Sequence, residues 1–180
     1  MIFLLYAVGM PSRKTEDKWE PIDSLGTTGA TVAKNIRGIR RKKGLAFTEL
    51  ATRLEGLGRE IPTWGLRKIE SGGRRVDADD LVALALALGV SPISLLMPMS
   101  ESAQEPVEVT GVQGEVEARR VWRWLQAAAQ LTDAKYDEFL TFVARALPPW
   151  RQREVTLVES GLEPHLTRFV RDPEGQDGHN

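Results

Sequence analysis

Apolar residues recur at helical spacing through the first half of the chain. The first stripe holds three residues at i, i+4 and i+7, namely Val32, Ile36 and Ile39. It predicts a helix that Thr28 caps with its hydroxyl and that runs through Lys43. Gly44 follows directly, and a glycine at that place is typical of a helix end.

The same periodicity predicts two short helices next. In the first of these, three leucines share one face: Leu50, Leu54 and Leu57. Glycines at 56 and 58 end that helix. In the following segment Pro62 and Thr63 are start signals, and a double glycine at 72 and 73 is the stop.

Capping residues predict a fourth and a fifth helix. Asp77 can cap the fourth, acidic residues fill its first turn, and Gly89 ends it. Since the fourth helix is apolar nearly all round, we expect it to be central. Ser91 as cap and Pro92 at the first helical position open the fifth, which we expect to end at Pro98.

The second half of the chain is less regular. Residues 107–112 alternate and fit one short strand, while residues 115–130 and 132–147 each predict a helix. We expect these two helices to form a hairpin whose core joins Val121, Trp124 and Leu125 to Phe139, Phe142 and Val143.

The predicted fold is mainly α and divides into five segments. These are a flexible arm at 1–26, a five-helix domain at 27–98, a polar linker at 99–106, a small, mostly helical region with one short strand at 107–160, and a weakly structured tail at 161–180.

Composition indicates an ordinary globular protein. The chain has 180 residues, of which 42% are hydrophobic and 27% charged, and it contains no cysteine. The absence of cysteine excludes disulfides and fits a reducing compartment, so we expect a cytoplasmic location. The apolar opening MIFLLYAVGM is too short to span a bilayer. We interpret Met10 as the true start; the alternative is a targeting segment.

The distribution of charge is more informative than its total. The net charge is only -1, but residues 34–75 hold twelve Lys and Arg against four Glu, a local charge of +8. A localised positive field attracts polyanions such as DNA, although runs of charge are also common on solvated faces.

Three motifs follow one another along the chain: IRGIRRKKGLAFTELA, LRKIESGGR and DADDLVALALALGVSPISLL. Together they resemble the Cro and lambda-repressor type of helix-turn-helix regulator, the Xre family, and the resemblance covers residues 28–98. It implies a five-helix lambda-repressor-like DNA-binding domain that reads double-stranded DNA, usually as a dimer, and acts as a transcriptional regulator, with a repressor role expected. A phage immunity repressor and a host regulator both fit.

The resemblance also assigns residues. The third helix would enter the major groove, with base contacts from Thr63, Trp64, Arg67 and Lys68. The alternative for Trp64 is a hydrophobic staple that packs onto the second helix. Gly65 is assigned no contact and is read as close backbone approach or simple permissiveness. Arg40 and Glu70 would form a partly buried ion pair between the first and third helices; the alternative is two solvated charges.

Phosphate contacts would flank the reading helix. The expected residues are Arg41, Lys43, Phe47, Thr48, Arg59, Arg74 and Arg75, each of which could instead be solvated. The segment LEGLGREIPTW departs from the family because it is longer than the usual turn. We expect Ile61 to fill the gap and Arg59 and Glu60 to be exposed.

Other functions are less well supported by the residues. The only histidines are His165 and His179, and no phosphate loop, metal-ligand spacing or nucleophile elbow occurs, so we expect no enzyme, no cofactor and no metal. Trp122 and Trp124 could form core or a homodimer surface. The main alternative function is an antitoxin or protein-interaction adapter that uses the helix-turn-helix for autoregulation.

Overall fold

The computed structural model describes residues 25–133, 135–152, 155–160 and 163–169. Within these ranges the fold is mainly helical, which confirms the predicted class. The first half forms α1 (Thr27–Lys42), α2 (Phe47–Gly56), α3 (Thr63–Glu70), α4 (Ala78–Leu88) and α5 (Pro92–Leu96). The second half forms β1 (Pro106–Val107), β2 (Val116–Glu117), α6 (Ala118–Leu125), α7 (Tyr136–Ala146), α8 (Pro149–Gln152), β3 (Val155–Ser160) and β4 (Glu163–Phe169).

Local capping signals set the limits of α4 and the start of α5. The carboxylate of Asp77 accepts a hydrogen bond from the N–H of Asp80 at 2.7 Å. Gly89 ends α4 with φ of 61°, in the left-handed region that glycine adopts without strain. The hydroxyl of Ser91 accepts from the N–H of Ile93 at 3.2 Å. These three cap predictions are confirmed.

The predicted capping role of Thr28 is wrong. Helix α1 begins at Thr27 after Gly26, so Thr28 lies inside the first turn. Its N–H donates to Oγ1 of Thr110 at 3.0 Å, and its own Oγ1 accepts from the N–H of Thr110 at 3.1 Å. The hydroxyl is therefore used to hold the loop between β1 and β2, a partner that lies too far along the sequence for local signals to show.

One hydrophobic core joins the first five helices. Its fully buried side chains include Ile36, Leu50, Leu54, Ile61, Leu66, Ile69, Leu84, Leu88 and Leu95. Burying one such side chain contributes about 1.5–3 kcal/mol. Ile61 fills the long α2–α3 connection, as expected. Helix α4 contacts α1, α2 and α5, yet Val82 and Leu86 on its outer face are exposed, so its apolar character exceeds what burial requires.

A buried amide fixes the end of this domain. Asn35 of α1 donates two hydrogen bonds, to the carbonyl of Leu95 at 2.9 Å and to that of Met97 at 2.8 Å. These are carbonyls at the end of α5 that lack partners within the helix. Helix α5 ends at Leu96, two residues before the predicted end at Pro98, because Met97 precedes that proline and takes an extended conformation with ψ of 122°.

The predicted packing of α6 against α7 is wrong. Val121 packs with Val107, Ala118 and Leu131, whereas Phe139 and Val143 belong to a separate cluster. Helix α6 ends at Leu125 because Ala127 takes a left-handed φ of 56°, which turns the chain away from a continued helix. The short antiparallel pair of β1 and β2 covers α6 instead.

The end of the described chain is also more regular than predicted. β3 and β4 pair antiparallel, with a register shift between Thr156 and Leu157. β4 lies within the 161–180 segment that sequence analysis expected to be weakly structured, because a weakly periodic strand gains its order from pairing with its neighbour. The N-terminal arm to residue 24, including Met10, and the last eleven residues lie outside the described residues.

Candidate nucleic-acid interface

Helix α3 is tied to α1 by an ion pair. Nε of Arg40 donates to Oε1 of Glu70 at 2.5 Å, and Nη2 donates to Oε2 at 2.9 Å. A third N–H of Arg40 donates to the carbonyl of Leu45 at 2.7 Å. The hydrogen bond to Glu70 raises the pKa of Arg40, against the lowering effect of burial. The two predicted partners therefore meet in bidentate geometry, which fixes the orientation of α3.

The ring of Phe47 joins this pair to the outer surface. The guanidinium of Arg40 lies 3.9 Å from the ring centroid of Phe47, and that of Arg67 lies 4.5 Å from it. Stacking of this kind stabilises a guanidinium on an aromatic face. Phe47 is the first residue of α2, so Arg67 is held beside the start of α2 although it belongs to α3.

The start of α2 carries free backbone donors. Its N-cap residue, Ala46, provides no side-chain cap, and Thr48 in the first turn is exposed. Free N–H groups and the helix dipole make such an end favourable for an anion. The predicted phosphate residues Phe47 and Thr48 thus lie next to the guanidinium of Arg67.

The outer face of α3 presents an aromatic and cationic surface. Trp64 is 61% exposed, which disfavours the alternative of a staple packed onto α2. Nζ of Lys68 lies 5.2 Å from the centroid of the Trp64 ring, within the range of a cation–π contact. Thr63, the first residue of the helix, is partly exposed. The four predicted base-reading residues are all on α3, but Arg67 is directed toward Phe47.

Two of the predicted phosphate residues are engaged elsewhere. Nε of Arg59 donates to Oδ1 of Asp80 at 2.7 Å, and its Nη2 donates to Asp77 at 2.8 Å. Nη2 of Arg74 donates to Oδ2 of Asp80 at 2.8 Å. The hydrogen bond to Asp80 raises the pKa of Arg59, while the backbone hydrogen bond from Asp80 lowers the pKa of Asp77. Arg59, which was predicted to be exposed, is therefore only partly exposed and paired with two carboxylates, whereas Glu60 is exposed as predicted.

Gly65 has a packing reason that involves Arg74. A Cβ at this position would lie 3.2 Å from Nη1 of Arg74 and 3.3 Å from Cγ2 of Ile61. Both distances are tighter than ordinary contacts, so any larger residue displaces one of these neighbours. Of the two explanations considered for Gly65, close approach fits the structure.

The remaining predicted phosphate residues flank this surface. Arg41 and Lys43 are exposed at the end of α1, and Arg75 is exposed after α3. Nζ of Lys43 lies beside Gly89 at the carboxyl end of α4, 3.6 Å from where a Cβ would stand. A cation is favourable there because the helix end is partly negative.

Sequence reasoning missed Asp80 as a structural centre. Its acidic neighbourhood was interpreted only as complementing the dipole of α4, yet its carboxylate is 1% exposed and accepts from two arginines. A buried carboxylate requires such partners. The sequence did contain a signal for this burial: Asp80 is the third acid at the start of α4, and it lies four residues before Leu84, on the same face of the helix.

Other site classes find no support in the described part of the chain. Among those residues, no group of three or more His, Cys, Asp or Glu could hold a metal ion. No helix in the described ranges is long and apolar enough to cross a membrane.

Comparisons with known proteins give partial structural likenesses. No protein-family model matches the chain, and no curated protein matches it. Over 37% of its length the chain is similar to 94% of the restriction-modification controller protein C.AhdI from Aeromonas hydrophila, with 25% identity and a TM-score of 0.33. It is similar over 40% to 87% of the clp gene regulator ClgR from C. glutamicum, with 24% identity and a TM-score of 0.35. It is similar over 43% to 86% of the hypothetical transcription factor NHTF from Neisseria, with 25% identity and a TM-score of 0.36.

Proposed function

We propose that this protein is a sequence-specific regulator of transcription, a repressor, that binds double-stranded DNA with α3 in the major groove. The observation that carries the proposal is the surface where exposed Trp64 and Lys68 on α3 adjoin the uncapped start of α2 and the stacked guanidinium of Arg67. The major groove is about 12 Å wide and admits a helix. The proposal covers a phage immunity repressor and a host regulator alike.

Base reading is assigned to the outer face of α3. The ammonium of Lys68 can donate to guanine O6 and N7, Thr63 can bond a base edge, and the Trp64 ring can contact a thymine methyl. The inner face of α3 is held by Glu70 and Arg40, so its outer side chains approach the groove from a fixed backbone. Arg67 lies at the border, where it can serve a base or the phosphate at the start of α2.

Phosphate binding is assigned to the residues around that surface. The N–H groups at Phe47 and Thr48, with Arg41, Lys43 and Arg75, would hold the two DNA strands beside the groove. Arg59 and Arg74 receive no phosphate in this proposal because both already donate to Asp80. We place the protein in the cytoplasm, together with its DNA.

Selection of bound sites from random double-stranded DNA tests the function. One sequence class should be enriched, and Thr63→Ala and Lys68→Ala should each weaken its binding by about tenfold, the loss of one good base contact. Lys34→Ala, which removes an exposed lysine of α1 without an assigned contact, is the matched control. Absence of any enriched sequence contradicts the proposal, and a stable protein that co-purifies would favour an antitoxin or adapter.

A homodimer through α6 is proposed for this regulator. Trp122 and Trp124 are 45% and 38% exposed, although α6 has its own buried residues. Exposed tryptophans are enriched where proteins associate. Sedimentation should show a dimer that a Trp122→Ser, Trp124→Ser variant loses, whereas Trp150→Ser, at another exposed tryptophan, leaves it intact. An unchanged dimer in the double variant would contradict this surface.

A further inference from the structure

We infer that Asp80 is a positioning residue that holds both ends of the reading helix α3 through Arg59 and Arg74. The expected effect on DNA binding rests on the proposed function, whereas the expected effect on the position of α3 does not. The argument depends on where the two arginines come from in the chain. Arg59 precedes α3, in the connection from α2, and Arg74 follows α3, in the connection to α4.

A single carboxylate therefore joins the entry and the exit of α3. Oδ1 of Asp80 accepts from Arg59 and Oδ2 accepts from Arg74, at 2.7 and 2.8 Å. The carboxylate belongs to α4, and Leu84 and Leu88 of the same helix are fully buried in the core. Because α4 is fixed by the core, both connections are fixed relative to the core as well.

The connection from α2 to α3 is longer than a tight turn, so it depends more on the hydrogen bonds of Arg59. Residues 59–62 lie outside any helix or strand, and within them Ile61 makes the buried contact with the core. Nη2 of Arg59 donates to Asp77, the N-cap of α4, so the arginine bonds both the cap and Asp80 in the first turn of that helix. The long connection is thereby held at a defined position.

Arg74, which follows α3, packs its side chain against α3 itself. Nη1 of Arg74 lies 3.2 Å from where a Cβ on Gly65 would stand, while Nη2 of the same group bonds Asp80. The guanidinium is thus packed between α3 and α4. Its position sets how closely the first turn of α3 approaches α4, and this first turn carries Thr63 and Trp64.

Loss of the carboxylate would affect DNA in two opposite ways. With Asp80→Asn, α3 would lose its fixed position, so binding to the selected site should weaken. Arg59 and Arg74 would at the same time become available to phosphates, so binding to unrelated DNA should hold or strengthen. A residue that only supports folding would lower both affinities together.

The first measurement uses the full chain without DNA. Hydrogen exchange is compared among wild type, Asp80→Asn and Asp79→Asn, the last an exposed acid of the same turn that removes the same charge. Exchange at residues 59–75 should rise in Asp80→Asn alone, while α1 and α5 stay protected. Unchanged exchange there, or an equal rise throughout residues 27–96, would overturn the inference.

The second measurement is the ratio of affinities for selected and unrelated DNA. Asp80→Asn should lower this ratio by about tenfold, comparable to one lost base contact, and Asp79→Asn should leave it unchanged. An unchanged ratio would overturn the role in DNA reading. If wild type selects no DNA, the proposed function fails, while the exchange result still decides whether Asp80 holds α3.

Single arginine variants cover the case in which Asp80→Asn does not fold. Arg59→Gln leaves the pair of Asp80 with Arg74, and Arg74→Gln leaves the pair with Arg59. Exchange should rise at residues 59–63 in the first and at residues 71–76 in the second. In addition, Gly65→Ala should lower stability less with Arg74→Ala than in wild type, since only the close contact with Ile61 then remains. An equal loss in both backgrounds would count against the packing role of Arg74.

Discussion

Thr28 and Thr110 exchange two hydrogen bonds across 82 residues of sequence, each backbone N–H donating to the other's hydroxyl. The loop between β1 and β2 is therefore attached to the first turn of α1. This attachment joins the second half of the chain to the five-helix domain.

Replacement of Thr110 by Val should release this loop. The N–H of Thr28 loses its acceptor, so the free energy of unfolding should fall by about 0.5–1.5 kcal/mol, the usual net value of one hydrogen bond. Hydrogen exchange should rise at residues 108–115. Thr52→Val is the control, because Thr52 bonds only the carbonyl of Thr48 within its own helix. Unchanged exchange in the loop would refute the attachment.

The pair of Arg40 and Glu70 should show strong coupling. Arg40→Met or Glu70→Leu alone leaves a nearly buried charge without its partner, which costs about 3–5 kcal/mol. The double variant should recover much of this loss because no charge remains. Chemical denaturation of the four proteins measures the cycle. Losses that simply add would show that the two side chains do not depend on each other.

The cap of α4 should make stability depend on pH. The pKa of Asp77 is below its ordinary value of 3.8, chiefly because its carboxylate accepts from the N–H of Asp80. The carboxylate therefore stabilises the fold fully above that value, and this stabilisation is lost as pH falls through the lower folded pKa. Asp77→Ala should melt below wild type at neutral pH, with the gap closing below pH 3.8. Asp79→Ala, which keeps the cap, should show no such closing gap.

The salt dependence of DNA binding should be limited by the ion pairs. Of the twelve cations between residues 34 and 75, Arg40, Arg53, Arg59 and Arg74 donate to carboxylates, which sets eight as the upper limit for phosphate contacts from this segment. At about -0.9 per phosphate, the slope of log affinity against log salt should be no steeper than about -7 per chain. A steeper slope would mean that the paired arginines leave their carboxylate partners and bind DNA phosphates.

Ala127 should be better replaced by glycine. Its φ of 56° is left-handed, which costs an L-residue roughly 1 kcal/mol that glycine does not lose. Ala127→Gly should therefore stabilise the second half of the chain, or leave it unchanged once the greater freedom of the unfolded glycine is included. Ala129→Gly, at a buried neighbour, should destabilise it. A lower melting temperature for Ala127→Gly would contradict the assigned conformation.

Features with local causes could be predicted from the sequence. Asp77, Gly89 and Ser91 act on backbone within four residues of themselves, so their caps follow from residue type and position. The burial of Ile36 in α1 and of Leu50 and Leu54 in α2 follows from helical periodicity. For the candidate site, the resemblance brought Arg40 to Glu70 and placed Trp64 and Lys68 on one exposed helix face.

The remaining features depend on partners that lie far apart in the sequence. Arg59 and Arg74 have the residue type of phosphate ligands, and only the position of Asp80 shows that they are engaged. The wrong packing of α6 against α7 has a conformational cause, because an alanine gives no sign of a left-handed φ at 127. A count of Lys and Arg in the sequence therefore overestimates how many side chains can bind DNA phosphates, because it includes arginines that are paired with Asp80.

The space above Gly65 bears on how a protein of this kind can diverge. The end of the Arg74 side chain lies 3.2 Å from where a Cβ at 65 would stand, so a side chain at this position needs Arg74 to shift or to change as well. Positions 64 and 68 are exposed and position 63 is partly exposed, so side chains there can change without this constraint. Under the proposed function, new operator preferences would thus arise by single mutations at these three sites. On the inner face of the same helix, a change at Gly65 would instead need Arg74 to move or to change with it.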